Sequence, residues 1–208
     1  MQSIQTVSEN TIYVGASDRR LAKFENLFPI PRGVSYNAYV ILDEKTALLD
    51  TADASVGAQF LENVAAALDG RKLDYLIVDH MEPDHAAMIE AVLVRWPDLR
   101  LVVNAKTLPM LKMYFPTDSS AIDDALVVKE GDTLDLGKHK LTFVMAPMVH
   151  WPEVMMTFDT TTGTLFSADA FGTFGALEGA LFADEVDFAG KWLDDARRYY
   201  TNLSLIHI

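Results

Sequence analysis

Residues Leu73 to His85 read LDYLIVDHMEPDH, an apolar run that ends in a cluster of acids and histidines. Its apolar part, Leu73 to Val78, is typical of a strand that is buried on both faces of its sheet. Asp84 is a residue type that begins helices, and Trp96-Pro97 is expected to end this helix because proline interrupts helical hydrogen bonding. The stretch therefore predicts a buried strand, a sharp corner and a helix.

Four potential metal ligands lie in this corner, namely His80, Glu82, Asp84 and His85. Side chains on such a corner can point into one small volume, and functional sites in α/β proteins favour the carboxyl edge of the sheet. Histidines and carboxylates are common ligands of transition metals. A plainer interpretation stays open, in which Asp84 caps the helix and the other three residues are solvated. We expect a metal site here.

Two later residues extend this cluster. His150 follows a predicted strand that ends at Met145-Ala146, and Asp169 follows another that ends at Ser167. Taken singly, each could be an ordinary loop histidine or a helix cap. Together with the corner they place six candidate ligands beyond three strand ends, and three of the chain's five histidines are among them. His139 lies in a polar hairpin and is predicted to be a surface residue.

The composition restricts the classes of function. The chain has 208 residues, a net charge of −13 from 17 basic and 30 acidic residues, and 50% hydrophobic residues. Such a charge argues against binding to nucleic acid or to an anionic membrane, since both need clustered Lys and Arg. The absence of cysteine excludes disulfides, thiolate zinc sites and iron–sulfur clusters from this stretch. We expect no signal peptide and no membrane span, and hence a cytoplasmic protein.

Strands and helices alternate along the chain in a way that predicts a mixed α/β layered domain. Three helices are predicted from Ser55 to Gly70, from Asp84 to Trp96 and from Lys106 to Phe115, and a fourth over Asp184 to Tyr200. The predicted strands are Thr11–Ala16, Tyr36–Leu42, Ala47–Asp50, Leu73–Val78, Leu99–Val103, Ala125–Lys129, Thr133–Leu136, Lys140–Ala146, Val154–Phe158 and Thr164–Ser167.

The last six residues, Leu203 to Ile208, lack the polar fringe of most chain ends. They suggest a chain that is cut short or finished by unrelated residues, so His207 is not counted as a ligand. We accordingly expect residues 1–202 to form the domain and residues 203–208 to be an atypical tail.

The whole arrangement resembles the metallo-β-lactamase fold, and specifically the flavodiiron proteins (A-type flavoproteins). Most members of that superfamily carry His-x-His-x-Asp-His and bind zinc for hydrolysis, whereas Glu82 stands here in place of the second histidine. The strings PRGVSYNAY (31–39), HWPE (150–153) and FSADAFG (166–172) support the resemblance. It extends from about Ile12 to Asn202 and implies an αββα sandwich that is incomplete at its C-terminus.

The resemblance also implies a ligand set. His80, Glu82 and His150 would hold one iron, Asp84 and His85 would hold the other, and Asp169 would bridge them. The family's remaining histidine on the second iron lies beyond the last residue of this chain, and so does its flavodoxin-like FMN domain. The second iron site is therefore expected to be incomplete.

In the family, the di-iron site reduces O2 to water or nitric oxide to nitrous oxide. Electrons reach it through FMN from rubredoxin or a similar carrier, and the FMN comes from the neighbouring subunit of a head-to-tail dimer. The resemblance implies the same chemistry for a longer protein that contains this domain, and it implies an isolated chain without turnover. Trp151, Phe171 and Phe174 are candidates to shield the site or to pack at the dimer interface, and plain core packing stays open as an alternative for each.

Two alternatives remain at this stage. The first is a zinc-dependent hydrolase of the same fold that acts on a thioester or a lactone through a metal-bound hydroxide. Glu82 is the feature against it, because a carboxylate in place of an imidazole favours iron over zinc. The second is a non-catalytic scaffold that binds one metal ion or none.

Overall fold

The structure is a computed structural model, and it describes residues 3–115, 120–176 and 179–185. The strands in these ranges are β1 (Gln5–Ser8), β2 (Thr11–Tyr13), β3 (Ala16–Asp18), β4 (Lys23–Phe24), β5 (Phe28–Pro29), β6 (Val34–Tyr36), β7 (Tyr39–Leu42), β8 (Thr46–Leu49), β9 (Tyr75–Ile77), β10 (Arg100–Asn104), β11 (Leu126–Val128), β12 (Thr133–Asp135), β13 (Lys140–Met145), β14 (Met155–Asp159) and β15 (Thr164–Phe166). The α-helices are α1 (Gly57–Leu68), α2 (Pro83–Ala86), α3 (Ile89–Arg95), α4 (Thr107–Tyr114) and α5 (Ser120–Asp123).

Two sheets form the centre of the domain. The larger has seven strands in the order β1-β2-β7-β8-β9-β10-β11, and the smaller has four in the order β12-β13-β14-β15. Strands β8 to β11 are parallel to one another, whereas every pair in the smaller sheet is antiparallel. The parallel strands are joined by helical connections, which is the usual requirement for parallel pairing.

The larger sheet is buried on both faces, as its apolar strands predict. Leu48, Leu76 and Leu101 point to a core shared with the helices, while Ile77 and Val102 point to a second core shared with the smaller sheet. The alternation follows from the two-residue period of a strand. The described residues thus form a helix layer, a sheet and a second sheet, and the predicted mixed α/β layered fold is confirmed.

Several predicted elements differ in extent. The helix expected over Asp84 to Trp96 is two helices, α2 and α3, which break near Met88, where φ is −96° and ψ is 4°. The N-cap expected at Ser55 belongs to Asp53, whose side chain accepts the Ser55 N–H at the start of a 3-10 turn. The N-terminal strand divides into β2 and β3. Of the helix predicted over Asp184 to Tyr200, residues 186–200 lie outside the described residues, as do residues 203–208.

The prediction that His139 is a surface residue is wrong. His139 is only 1% exposed, and its Nδ1 atom lies 2.8 Å from Oδ2 of the buried Asp159. Its backbone N–H also donates to Asp43 at 2.6 Å. Both partners are far away in sequence, so a local hairpin pattern could not predict this burial. Among the described residues, no helix has the length and apolar character needed to cross a membrane.

Candidate metal centre

The six predicted site residues meet at one edge of the two sheets, beyond the carboxyl ends of strands. His80 follows β9, and Glu82 occupies the N-cap position of α2 with extended backbone angles. Asp84 and His85 lie in the single turn of α2, which Pro83 begins with its φ already suited to a helix. His150 lies between β13 and β14, and Asp169 lies beyond β15.

His80, Glu82, His150 and Asp169 form the first donor group, in which all donor atoms lie within 4.8 Å of one another. Nε2 of His150 lies 2.8 Å from Oε2 of Glu82 and 3.1 Å from Oδ2 of Asp169. Nε2 of His80 lies 3.3 Å from the same Glu82 oxygen and 3.2 Å from Oδ2 of Asp169. Two imidazoles and two carboxylates thus converge on one point.

Asp84, His85 and Asp169 form the second donor group, which also lies within 4.8 Å. Nε2 of His85 is 2.8 Å from Oδ1 of Asp169 and 3.6 Å from Oδ2 of Asp84. Asp169 therefore belongs to both groups and turns one carboxylate oxygen toward each. This is the arrangement that a carboxylate bridge between two metal ions requires.

The donor atoms fit a pair of metal ions in a further respect. The Oδ1 atom of Asp84 is buried and has no hydrogen-bond partner among the described residues. A buried carboxylate oxygen without a partner costs free energy unless a cation or a proton satisfies it. Nitrogen and oxygen donors without any thiolate suit iron, manganese or zinc.

The histidines and acids shift each other's pKa strongly. Burial opposes protonation of His80 and His150. Hydrogen bonds to Asp169, Glu153 and Glu82 nevertheless raise the pKa of His80 to about 11, and hydrogen bonds to Asp169 and Glu82 raise the pKa of His150 to about 9. Burial would raise the pKa of Glu82, yet the hydrogen bonds of His150 and His80 lower it to about 2. Burial raises the pKa of Asp84 to about 7. The centre of the cluster is thus a place where positive charge is stabilised.

Two carboxylates that contact the histidines from behind were not predicted from the sequence. Oε1 of Glu153 lies 2.8 Å from Nδ1 of His80, and Oδ2 of Asp50 lies 2.9 Å from Nδ1 of His85. Both are buried, at 1% and 5% exposure. The signals were present in the sequence, because Asp50 directly follows a strand and Glu153 ends the HWPE string. Neither signal states which histidine the carboxylate would reach.

The surroundings of the site are partly aromatic. The ring of Trp151 meets that of His80 edge-on, with centroids 5.3 Å apart, so Trp151 shields this histidine. Phe174 packs against Phe24 and lines a cavity of about 70 Å³ that reaches His85 and Asp169. Phe171 is 88% exposed and covers none of the ligands.

Comparison with known proteins identifies the family of the chain. Residues 34–200 match the model of the ODP family beta lactamases. The chain is 37% identical over 199 residues to a nitric oxide reductase of Moorella thermoacetica, covering 95% of this chain and 48% of that protein. It has the same identity to an anaerobic nitric oxide reductase flavorubredoxin of Klebsiella pneumoniae, covering 95% of this chain and 40% of that protein.

Solved structures give the same result. Rubredoxin oxygen:oxidoreductase from Desulfovibrio gigas superposes with a TM-score of 0.88 at 31% identity, covering 96% of this chain and 48% of that one. The flavodiiron protein from Giardia intestinalis superposes with a TM-score of 0.86 at 26% identity, covering 98% and 48%. The chain therefore spans about half the length of these relatives. It belongs to the ODP family of beta lactamases, and it is similar in sequence and fold to the flavodiiron proteins.

Proposed function

We propose that this domain holds a pair of iron ions. His80, Glu82 and His150 would bind one ion, Asp84 and His85 would bind the other, and Asp169 would bridge the two. The observation that carries the proposal is the position of Asp169, whose Oδ1 faces His85 while its Oδ2 faces His80 and His150. A bridging anion is needed because two adjacent cations repel each other.

Glu82 supports iron rather than zinc. Its Oε2 lies 2.8 Å from Nε2 of His150, so the carboxylate is part of the donor group and is not a solvated loop residue. An additional carboxylate makes the site harder and more anionic, which favours iron and stabilises its oxidised state. The zinc hydrolase alternative has no comparable observation in its favour.

We propose that, within a longer protein, the domain reduces O2 to water or nitric oxide to nitrous oxide. Two ferrous ions would supply electrons to a bound diatomic molecule, and the overall conversion of nitric oxide is 2 NO + 2 H⁺ + 2 e⁻ → N2O + H2O. The names of the Moorella and Desulfovibrio relatives support this substrate class. Electrons would arrive through FMN from a rubredoxin-like carrier. The longer protein would form a head-to-tail homodimer. A cytoplasmic location stays a prediction.

The residues of this chain have definite parts in such a reaction. Burial of His80, Glu82 and His85 limits the access of solvent to these side chains. The ring of Trp151 packs edge-on against the ring of His80 and shields it. The cavity beside His85 and Asp169 would give a small substrate access to the second donor group.

A reconstitution experiment tests the proposal. The chain is loaded anaerobically with Fe(II), freed of excess metal and given a limited amount of nitric oxide, and nitrous oxide is measured by gas chromatography. We expect two iron ions per chain, or a single tight iron with a weaker second. We expect at most one nitrous oxide molecule per pair of bound Fe(II) ions and no further turnover, because no donor is supplied that would reduce the iron again. Preferential binding of two zinc ions with rapid thioester hydrolysis would contradict the proposal and support the hydrolase alternative.

A further inference from the structure

Glu153 is buried in the loop that leads into β14, two residues before the strand begins, and it does not belong to either donor group. Its Oε1 atom makes two contacts, at 2.8 Å to Nδ1 of His80 and at 3.0 Å to the backbone N–H of Met81. The same oxygen therefore holds the imidazole ring and the peptide group that follows it. This fixes the ring of His80 relative to its own backbone.

The segment that carries Glu153 is itself held by another corner of the large sheet. The side chain of Asn104 donates to the backbone carbonyl of Glu153, and Nζ of Lys106 donates to the carbonyl of Pro152 at 3.1 Å. The amide oxygen of Asn104 also accepts the N–H groups of Lys106 and Thr107 at the start of α4. The end of β10 thus positions the loop that contains both His150 and Glu153.

We propose that Glu153 is a positioning residue of the metal centre. By accepting the Nδ1–H of His80, it leaves Nε2 as the coordinating atom and turns it toward Glu82 and Asp169, at 3.3 and 3.2 Å. Carboxylates behind metal-binding histidines fix the tautomer and orientation of the ring in this way. This role rests on the metal centre proposed above. It depends on the hydrogen bond between Glu153 and His80 and not on the negative charge of Glu153.

The chain contains a matched pair that serves as a control. His139 and Asp159 are both buried, and the distance from Nδ1 of His139 to Oδ2 of Asp159 is also 2.8 Å. Neither residue belongs to a donor group. A substitution at Asp159 therefore disturbs a buried histidine–carboxylate pair without touching the metal centre.

Three variants separate the possible roles. Glu153→Gln keeps an oxygen that can accept from His80 and Met81 but removes the charge. Glu153→Asp keeps the charge but is one methylene shorter, by about 1.5 Å, so its oxygen no longer reaches Nδ1 of His80. Asp159→Asn is the control. Each is titrated anaerobically with Co(II), whose visible absorption reports coordination, and the thermal unfolding of the metal-free protein is recorded in parallel.

The inference predicts that Glu153→Asp weakens Co(II) binding by roughly 10- to 100-fold and alters the absorption bands, whereas Glu153→Gln stays close to the wild type. Asp159→Asn should lower the melting temperature without changing Co(II) affinity.

Weaker Co(II) binding in Glu153→Gln but not in Glu153→Asp would overturn the inference in favour of a charge effect. Equal weakening by Asp159→Asn would also overturn it, because the effect would then be one of general stability. Absence of Co(II) binding in the wild type would refute the metal centre itself.

Discussion

Glu82 is the residue on which the identity of the metal depends most. It is 5% exposed, and it contacts both histidines of the first donor group. Replacement by alanine removes one donor and leaves His80 and His150 without this carboxylate. We expect Glu82→Ala to lose about half of the bound iron, with the first donor group emptied, when metal content is measured by elemental analysis after reconstitution.

Glu90 offers a control for Glu82, because it is an acidic residue on the exposed side of α3. Glu90→Ala should leave the iron content unchanged. Equal iron content in Glu82→Ala and the wild type would refute the proposed ligand role of Glu82.

His80 and His150 make metal binding dependent on pH. In the metal-free protein their pKa values of about 11 and about 9 keep both imidazoles protonated at neutral pH. A metal ion binds only the neutral ring, so binding must release these protons. Metal affinity should therefore rise as the pH rises from about 6 to about 8. Calorimetry in two buffers of different ionisation enthalpy counts the protons, and an affinity that falls over this range would contradict the assignment.

Single residues differ in how far the sequence predicts them. The six candidate ligands could be named because they follow strand ends in a recognisable pattern, and the structure brings all six together. Asp50, Glu153 and His139 could not be assigned, because each depends on a partner at least 20 positions away. Buried polar pairs are fixed by tertiary contacts, and no local pattern encodes them.

The turn that leads into β6 depends on a glycine. Gly33 has φ +75°, and a Cβ atom there would lie 2.5 Å from the carbonyl oxygen of Asp18 and 3.0 Å from Cβ of Ala176. Gly70 has a similar φ of +80° with nothing within 4 Å. We expect Gly33→Ala to cost about 3 kcal/mol of unfolding free energy, against about 1 kcal/mol for Gly70→Ala, since only the first adds a clash to the backbone strain.

Urea denaturation of both variants measures the difference. Because Gly33 precedes β6, which lines the cavity beside the site, its variant should also weaken metal binding. Equal free energies for the two variants would show that the clash is relieved by a local shift.

The elements were predicted best where burial is greatest. The apolar strands β8 to β10 appear at their expected positions, because a continuous apolar run has few alternatives to a doubly buried strand. The two small sheets, β3 with β6 and β4 with β5, were not predicted, since strands of two or three residues are too short to show an alternating pattern. The break between α2 and α3 was not predicted either, because the helical spacing of apolar residues continues across it.

At the scale of the whole molecule, the contact between the two sheets holds the site together. His80 follows a strand of the large sheet, while His150 and Asp169 follow strands of the small one. Phe143 is fully buried between the sheets, whereas its neighbour Val144 is 37% exposed on the other face of β13. Phe143→Ala should cost about 3–5 kcal/mol of unfolding free energy.

Val144→Ala is the control for Phe143→Ala and should cost less than about 1 kcal/mol. Chemical denaturation of the metal-free proteins gives both values. A small effect of Phe143→Ala would mean that the sheets remain docked without this side chain.

The order of strands and helices along the chain was enough to predict a layered α/β domain. It was not enough to predict the order of the strands within the larger sheet. Strand β2 pairs with β7 across the intervening β3 to β6, and this long-range pairing has no local signal. The chain spans about half the length of the relatives it matches.

The metal content of the anaerobically reconstituted chain tests the central claim most directly. The chain is loaded separately with Fe(II) and with Zn(II), because Zn(II) binds most nitrogen and oxygen sites more tightly than Fe(II) in direct competition. Bound metal is counted by elemental analysis, the Mössbauer spectrum of the iron is recorded, and thioester hydrolysis is assayed for the zinc-loaded chain. We expect iron in the first donor group, lost in Glu82→Ala, with a spectrum of coupled ions where both groups are filled and no hydrolysis by the zinc-loaded chain. An iron content unaffected by Glu82→Ala, or rapid thioester hydrolysis by the zinc-loaded chain, would contradict the di-iron assignment.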